Sequence, residues 1–318
     1  MRALMLGILS SFFFAFTFVL NRSMELEGGS WLWSTSLRYF FMVPLLLLLV
    51  LWRGNLQPLW REMRRQPGTW LVWSFVGFGL FYAPLTFAAA YGPAWLVAGS
   101  WQITIVAGSL LVPLFYDLSG ERQKIPVRGL LMSLLILLGV FLMQMQSATA
   151  LTMREALLGF LPVVVAAFAY PLGNRKMMAA LEGRLDSYQR ALGMTLASLP
   201  LWIVLALFGA TTAGAPSEGQ VLQSLLVAVS SGVIATVLFF SATDLARGNV
   251  RQLAAVEATQ AGEVIFAVIG EMLILAGHLP SALSWAGMAL VMIGMVLHSY
   301  VSHTPAPSPA AKKESASS

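Results

Sequence analysis

The chain has 318 residues, no cysteine, and charge on only 10% of its residues. Without cysteine there is no disulfide, no thiol nucleophile and no thiolate metal site, although the redox compartment stays open. His278, His298 and His303 lack metal-like spacing, so no metal is expected. Also missing are the G-x-x-x-x-G-K-[ST] phosphate loop, the HExxH helix and the serine elbow. Gly77-Phe78-Gly79 is a bare GxG inside an apolar run and carries no phosphate chemistry. Neither a cofactor nor an enzyme is expected. A soluble domain carries about 25% charged residues, and the shortfall here excludes an ordinary water-facing surface.

What fills the chain instead is apolar sequence, at 58%, with a mean hydropathy of +0.77. Runs of about 20 apolar residues suffice to cross a bilayer. Ten are present, at 3–20, 31–52, 70–90, 94–116, 129–146, 156–174, 191–210, 221–241, 253–276 and 283–301. Their short links require a tight bundle that satisfies its backbone internally. The first run is followed by Asn21-Arg22-Ser23 and not by a small-x-small cleavage site, so it reads as a retained helix. The same triplet is a glycosylation sequon, but it abuts the membrane.

Basic residues set the orientation. With a cytoplasmic N-terminus, the cytoplasmic segments hold Arg2, Arg53, Arg61, Arg64, Arg65, Arg122, Lys124, Arg128, Arg175, Lys176, Arg184, Arg190, Arg247, Arg251, Lys312 and Lys313. That is 16 of the 19 basic residues, leaving Arg22, Arg38 and Arg154 on or near the other side. Both termini are therefore expected in the cytoplasm, with the chain in the plasma (inner) membrane. The net charge of +5 reflects this loop bias and gives no basic face for nucleic acid. Residues 302–318, rich in Pro, Ala, Ser and Lys, are expected to be a disordered cytoplasmic tail.

The first helix is, in outline, written twice. FAFTFVLNRSM at 14–24 and AFAYPLGNRKMM at 167–178 are aromatic-rich and reach Asn-Arg at Asn21-Arg22 and Asn174-Arg175. Other pairings are weaker: the fourth run aligns with the ninth, placing Gln102 opposite Glu263, while Pro126 pairs with Pro280 and Gly139 with Gly294. Five helices per half is an odd number, so the second half enters from the opposite side. The expected fold is an all-α membrane protein of ten transmembrane helices in two inverted five-helix repeats, residues 1–150 and 151–301.

With the Leu37-Arg38-Tyr39-Phe40-Phe41 opening of the second run, this pattern resembles the drug/metabolite transporter superfamily. The strings NRSMELEGGSWLWSTSLRYFFMVP at 21–44 and AYPLGNRKMM at 169–178 are similar to its multidrug resistance efflux transporter (EmrE-like) branch. The likeness reaches to about Val301 and implies a secondary exporter. Small multidrug resistance proteins of this superfamily carry a membrane-embedded Glu in the first helix, where protons exchange for cationic drugs. Residues 3–20 hold no acid here, and Glu155 lies only at the edge of the sixth run, so that role does not carry over to the first helix.

The intramembrane acids lie instead in the ninth run, at Glu257, Glu263 and Glu271. On one ideal helix they share a sector of about 120°, with Glu263 near mid-membrane, Glu257 about 9 Å toward the cytoplasm and Glu271 about 12 Å toward the outside. An ionisable group at such depth is a functional candidate. Glu263 is the first choice for a proton or a cationic substrate. Glu271 is either functional or structurally paired, and Glu257 is expected to pair with Arg251 or Arg247. Arg38 either snorkels outward or faces the interior, pairing there with Glu271 or an anionic group.

Trp101 and Tyr82, with Gln102 beside Trp101, are expected to pack or to line a site for a flat or cationic ligand. Asn21 and Asn174 either cap helix ends or join that site. Trp31, Trp33, Trp52, Trp60, Trp70 and Trp73 read as an interfacial belt, and Asp244 is expected to pair with Arg247. Ala258 with Gly262, and Gly287 with Gly294, mark close helix contacts within the bundle or between protomers. The leading expectation is a proton-coupled secondary exporter of drug-like or cationic small molecules, working by alternating access. A metabolite exporter or facilitator, for amino acids for example, and a non-transporting receptor or scaffold stay open, as do a monomer and a homodimer. The expected partners are a small-molecule substrate, protons and the lipid bilayer.

Overall fold

The computed structural model describes residues 1–303 except 55, 117–120, 126, 151, 248 and 278; the expected tail beyond 303, with Lys312 and Lys313, lies outside the described residues, as do Pro126 and His278. The apolar runs become helices, because only a helix satisfies a lone apolar segment's backbone in lipid. They are α1 (Arg2–Leu26), α2 (Trp31–Trp52), α4 (Pro67–Ala88), α5 (Ala94–Leu110), α6 (Val127–Ala150), α7 (Met153–Leu181), α8 (Ser187–Thr212), α9 (Glu218–Leu245), α10 (250–274) and α11 (Ala282–His303). A short surface helix, α3 (Leu56–Arg65), stands between α2 and α4. No strand occurs among the described residues.

Seven of these helices are long and apolar enough to cross a membrane: α1, α2, α4, α6, α7, α8 and α9. Ala94–Leu110 and Ala282–His298 are shorter apolar helices. The ninth run is in three pieces, Val250–Ala258, the 3-10 turn Thr259–Ala261 and Gly262–Ile274. α1 and α7 continue past the expected ends at 20 and 174, reaching Leu26 and Leu181. Asn21 and Asn174 are thus inside helices and cap neither. True caps come from short polar side chains at the turns: Ser30 for α2, Thr152 with Glu155 for α7, Asp186 with Gln189 for α8, and Ser217 for α9.

Departures from ideal helix recur along the chain. Pro44 in α2 and Pro200 in α8 each lie 13 residues past the first helical residue, Trp31 and Ser187. π-helical turns interrupt α4 at Phe75–Gly79 and α9 at Ala228–Ala235. α5 breaks at Gln102 and α10 at Thr259–Ala261. α4 and α9 thus share a π-helical turn and α5 and α10 a mid-helix break, and such irregular turns cluster at functional sites.

The paired glycines mark close approach within the chain. The Gly139 and Gly287 backbones meet where α6 crosses α11, and Gly294 faces Ile136 on the same pair. Gly77 lies against Gly173 between α4 and α7, and Gly262 faces Ser11 on α1. Any side chain at these positions would push the helices apart. Of the expected tryptophan belt, Trp52 is 87% and Trp60 49% exposed, but Trp70 is buried against Gly193. Glycine leaves a slot into which that ring drops, drawing it from the surface into the core.

Candidate functional site

The central cavity, of about 10 Å³, is lined by Phe14, Thr17 and Phe18 of α1, Phe81 and Leu85 of α4, Trp101 of α5, Tyr170 of α7, and Gln260 and Glu263 of α10. Three irregular helices, α4, α5 and α10, therefore converge on one space with α1 and α7. The rings make a continuous wall: Phe81 lies 4.5 Å from Tyr170 and 5.1 Å from Trp101, and Trp101 lies 5.6 Å from Tyr170. Small-molecule sites usually enclose about 300–1,000 Å³, so the cavity is shut to an organic molecule in this conformation. A larger lateral groove, of about 530 Å³, runs between α4, α7 and α8. Its lining, from Trp31 through Phe75, Phe87, Leu161 and Leu205, holds no charged group, which suits a lipid-facing cleft better than a site for chemistry.

Glu263 supplies the cavity's charge. It is 1% exposed, and its Oε2 has no hydrogen-bond partner. Among the described residues it forms no ion pair. A buried carboxylate without a counter-charge is strongly disfavoured as an anion. Its natural occupant is therefore a proton or a cation, and the aromatic wall adds cation–π attraction for the latter. The Tyr170 hydroxyl is also buried without a partner.

Arg38 lies behind this wall. It is 1% exposed, its guanidinium is 3.9 Å from the centre of the Tyr82 ring and 5.1 Å from that of Tyr39, and its Nε and Nη1 have no hydrogen-bond partner. It faces the interior and does not snorkel. The expected pairing with Glu271 is absent; Glu271 accepts from the Trp95 N–H instead. Asn21 Nδ2 donates to Tyr82 Oη at 3.1 Å, while Thr17, one turn earlier on the same helix, donates to Ser231 Oγ at 2.5 Å. The rings and hydroxyls of α1, α4 and α9 thus form a layer between Arg38 and the cavity.

The three glutamates do not share one surrounding. The 3-10 turn at Thr259–Ala261 changes the helix phase between Glu257 and Glu263, so the ideal sector does not hold. Glu257 is clamped by Arg175, whose Nε donates to Oε1 at 2.9 Å and whose Nη2 contacts Oε2. Arg175 Nη1 also donates to the Gly108 carbonyl at 2.6 Å. Arg175 thus takes the place expected of Arg251 or Arg247, because it is buried beside Glu257 and forks onto both oxygens, as guanidinium geometry favours. Arg247 pairs with Asp244 instead, and the Arg251 side chain lies outside the described residues. Glu271 accepts from the Trp95 N–H at 3.1 Å, capping the start of α5. Two glutamates of α10 therefore fasten the two ends of α5, and the middle one is left open to the cavity. Asp244 meets Arg247 at 3.6 Å as expected, but Arg190 is closer, at 2.7 Å.

Of the expected site residues, Glu263 and Trp101 line the cavity, and Asn21, Tyr82 and Arg38 stand behind it. Gln102 is buried in the break of α5, where its Nε2 donates to the Ala98 and Gln260 carbonyls at 3.0 and 3.3 Å. Glu271 belongs to the end of α5, not to the cavity. Asn174 is buried outside the lining with both side-chain polar atoms unpartnered. Thr17, Phe81, Tyr170 and Gln260 are not singled out by the sequence. The repeat itself holds the signal for two of them: Thr17 precedes Asn21 by four residues, as Tyr170 precedes Asn174, so both sit one turn before the shared Asn-Arg. No cluster of metal-ligating side chains occurs among the described residues. His298 instead contacts the Gly129 carbonyl at 2.9 Å and Ser133 Oγ at 3.0 Å.

Comparison with known proteins gives three kinds of likeness. Residues 1–304 match the family described as "EmrE: Putative multidrug resistance efflux transporter". The chain is 59% identical over 314 residues to the uncharacterized protein YjlA of Bacillus subtilis (strain 168), covering 96% of this chain and 97% of that one. It is 52% identical over 267 residues to an uncharacterized 42.1 kDa protein of Shouchella clausii, covering 83% of this chain and 70% of the other. A crystal structure matches with a TM-score of 0.66 at 16% identity, over 95% of this chain and 99% of that one, which speaks for the fold alone.

Proposed function

The chain belongs to the EmrE family of multidrug resistance efflux transporters, and from that premise we propose that it is a proton-coupled secondary exporter of small organic molecules. The observation that carries the reading is Glu263: a buried carboxylate in an aromatic-walled cavity, without a counter-ion among the described residues. Proton and substrate would compete for this one group. Protonation from one side would release a bound cation, and loss of the proton on the other would restore the site. Such exchange needs no nucleotide, in keeping with the missing phosphate loop.

Several features support a two-part scaffold of ten spans related by an inverted repeat. The Asn-Arg copies, the matched prolines of α2 and α8, the π-turns of α4 and α9, and the breaks of α5 and α10 all recur at corresponding places. In this reading α5 and α10 are the discontinuous helices beside the substrate. The clamps at the ends of α5, Glu257 with Arg175 inside and Glu271 with the Trp95 N–H outside, would close alternately on the cavity. The bias of basic residues supports cytoplasmic termini in a bacterial-type inner membrane.

A screen in proteoliposomes tests the reading, with labelled cations such as tetraphenylphosphonium and a panel of amino acids, each with and without a pH gradient. Substrate flux that rises with the gradient is expected. Flux that ignores the gradient would make the chain a facilitator, and no flux of any compound would favour a receptor or scaffold. Arg38 favours a second reading of the substrate, since a plain cation has no use for a buried guanidinium.

A further inference from the structure

From the two unsatisfied charges of the core we infer that the site takes a zwitterion, with its cationic group at Glu263 and its anionic group at Arg38. This substrate class rests on the transport reading and belongs to that same cavity.

Arg38 and Glu263 are each 1% exposed, and each keeps side-chain polar atoms without a partner: Nε and Nη1 of Arg38, Oε2 of Glu263. Among the described residues neither forms an ion pair. Each alone is costly to bury, because an uncompensated charge in the membrane interior loses several kcal/mol of hydration. Together they leave the core neutral, yet neither satisfies the other directly. The Tyr170 hydroxyl of the cavity wall is itself unpartnered. A single molecule with both charges would satisfy both ends. A plain cation would leave Arg38 as it is, and a plain anion would leave Glu263.

Tyr82 is the joint between the two poles. Its ring stacks on the guanidinium at 3.9 Å and lies 5.9 Å from the Phe81 ring, which lines the cavity. Its hydroxyl is held by Asn21. Arg38 is thus one ring away from the lining, and an anionic group that displaced the Tyr82 ring would meet the guanidinium with the Asn21 amide beside it. The rest of the lining is mainly rings and leucine, so the body of the molecule is apolar. Cation–π attraction from Trp101 and Tyr170 adds to Glu263 at the ammonium end.

The test uses three probes that share one ring and chain and differ in charge: L-phenylalanine with both charges, phenethylamine with the cation alone, and 3-phenylpropanoate with the anion alone. Binding to the full chain in nanodiscs is measured by calorimetry, and uptake in proteoliposomes is followed beside tetraphenylphosphonium. L-Phenylalanine is expected to bind at least tenfold more tightly than either single-charge probe. Arg38→Gln should weaken L-phenylalanine at least tenfold and phenethylamine far less; Glu263→Gln should weaken L-phenylalanine similarly and 3-phenylpropanoate far less. Arg38→Lys, which keeps the charge, should recover part of the loss and guards against misfolding of Arg38→Gln. Phenethylamine binding as tightly as L-phenylalanine, with Arg38→Gln indifferent, would overturn the zwitterion and leave a cation exporter. Transport of tetraphenylphosphonium with no binding of L-phenylalanine would do the same. Absence of binding and flux for every probe would sink the transport reading along with it.

Discussion

At the scale of single residues, the molecule sorts its buried charges into those that are spent and those that are open. Arg175 and Glu257 are spent: the pair is forked and the guanidinium also holds the Gly108 carbonyl. Removing one member leaves the other charged and alone, which costs about 3–5 kcal/mol, whereas replacing both by apolar residues is often nearly neutral. Arg175→Leu should therefore lower unfolding stability in detergent much more than the double change Arg175→Leu with Glu257→Leu. Equal loss in the two would show that the pair is not coupled. The sequence marks Glu257 and Glu263 as unusual because acids are scarce in apolar runs. It assigns Glu257 to a structural pair and Glu263 to the site, but misses the partner, since Arg175 lies 82 residues away on another helix. Arg38 is legible as an interior charge, but its aromatic stacking is not, because the position of Tyr82 against it depends on tertiary packing.

At the scale of elements, glycine and irregular turns decide how the helices meet. Gly139 and Gly287 let the α6 and α11 backbones touch, with no room for a side chain at either. Gly287→Leu should separate these helices and destabilise the protein by about 1–3 kcal/mol, as overpacking usually does. The outward-facing Ile293, 51% exposed on the same helix, serves as the control. Ile293→Leu should leave the unfolding midpoint unchanged, and a similar loss in both variants would contradict the crossing. Apolar length makes most helices readable from sequence. Their breaks are not: Gln102 and Thr259–Ala261 sit within apolar runs, and a 3-10 or π turn is selected by hydrogen bonds to neighbouring helices, such as Gln102 to the Gln260 carbonyl. For that reason the carboxylate sector drawn on an ideal helix fails at the turn between Glu257 and Glu263.

At the scale of the whole molecule, the repeated Asn-Arg strings point beyond the helices that carry them. They also predict a topology. With ten spans, reporters fused after Gly214 and at the C-terminal tail should report opposite sides of the membrane, Gly214 outside; the same side for both would break the inverted repeat. The cavity is lined by α1 and α7, where Thr17 and Tyr170 each stand four residues before an Asn-Arg pair, and by the broken helices α5 and α10, which carry Trp101 and Glu263. The aromatic wall is not legible in the sequence, since 11% aromatic content offers many rings and only packing selects Phe81 and Tyr170. Central to the proposed mechanism is the exchange of a proton for substrate at Glu263. Its most direct test is efflux against pH from liposomes of matched protein content, for the wild-type chain and Glu263→Gln. The variant is expected to insert and fold but to lose proton-driven efflux, since the amide is fixed in the neutral state. Wild-type, pH-dependent efflux from Glu263→Gln would contradict that exchange.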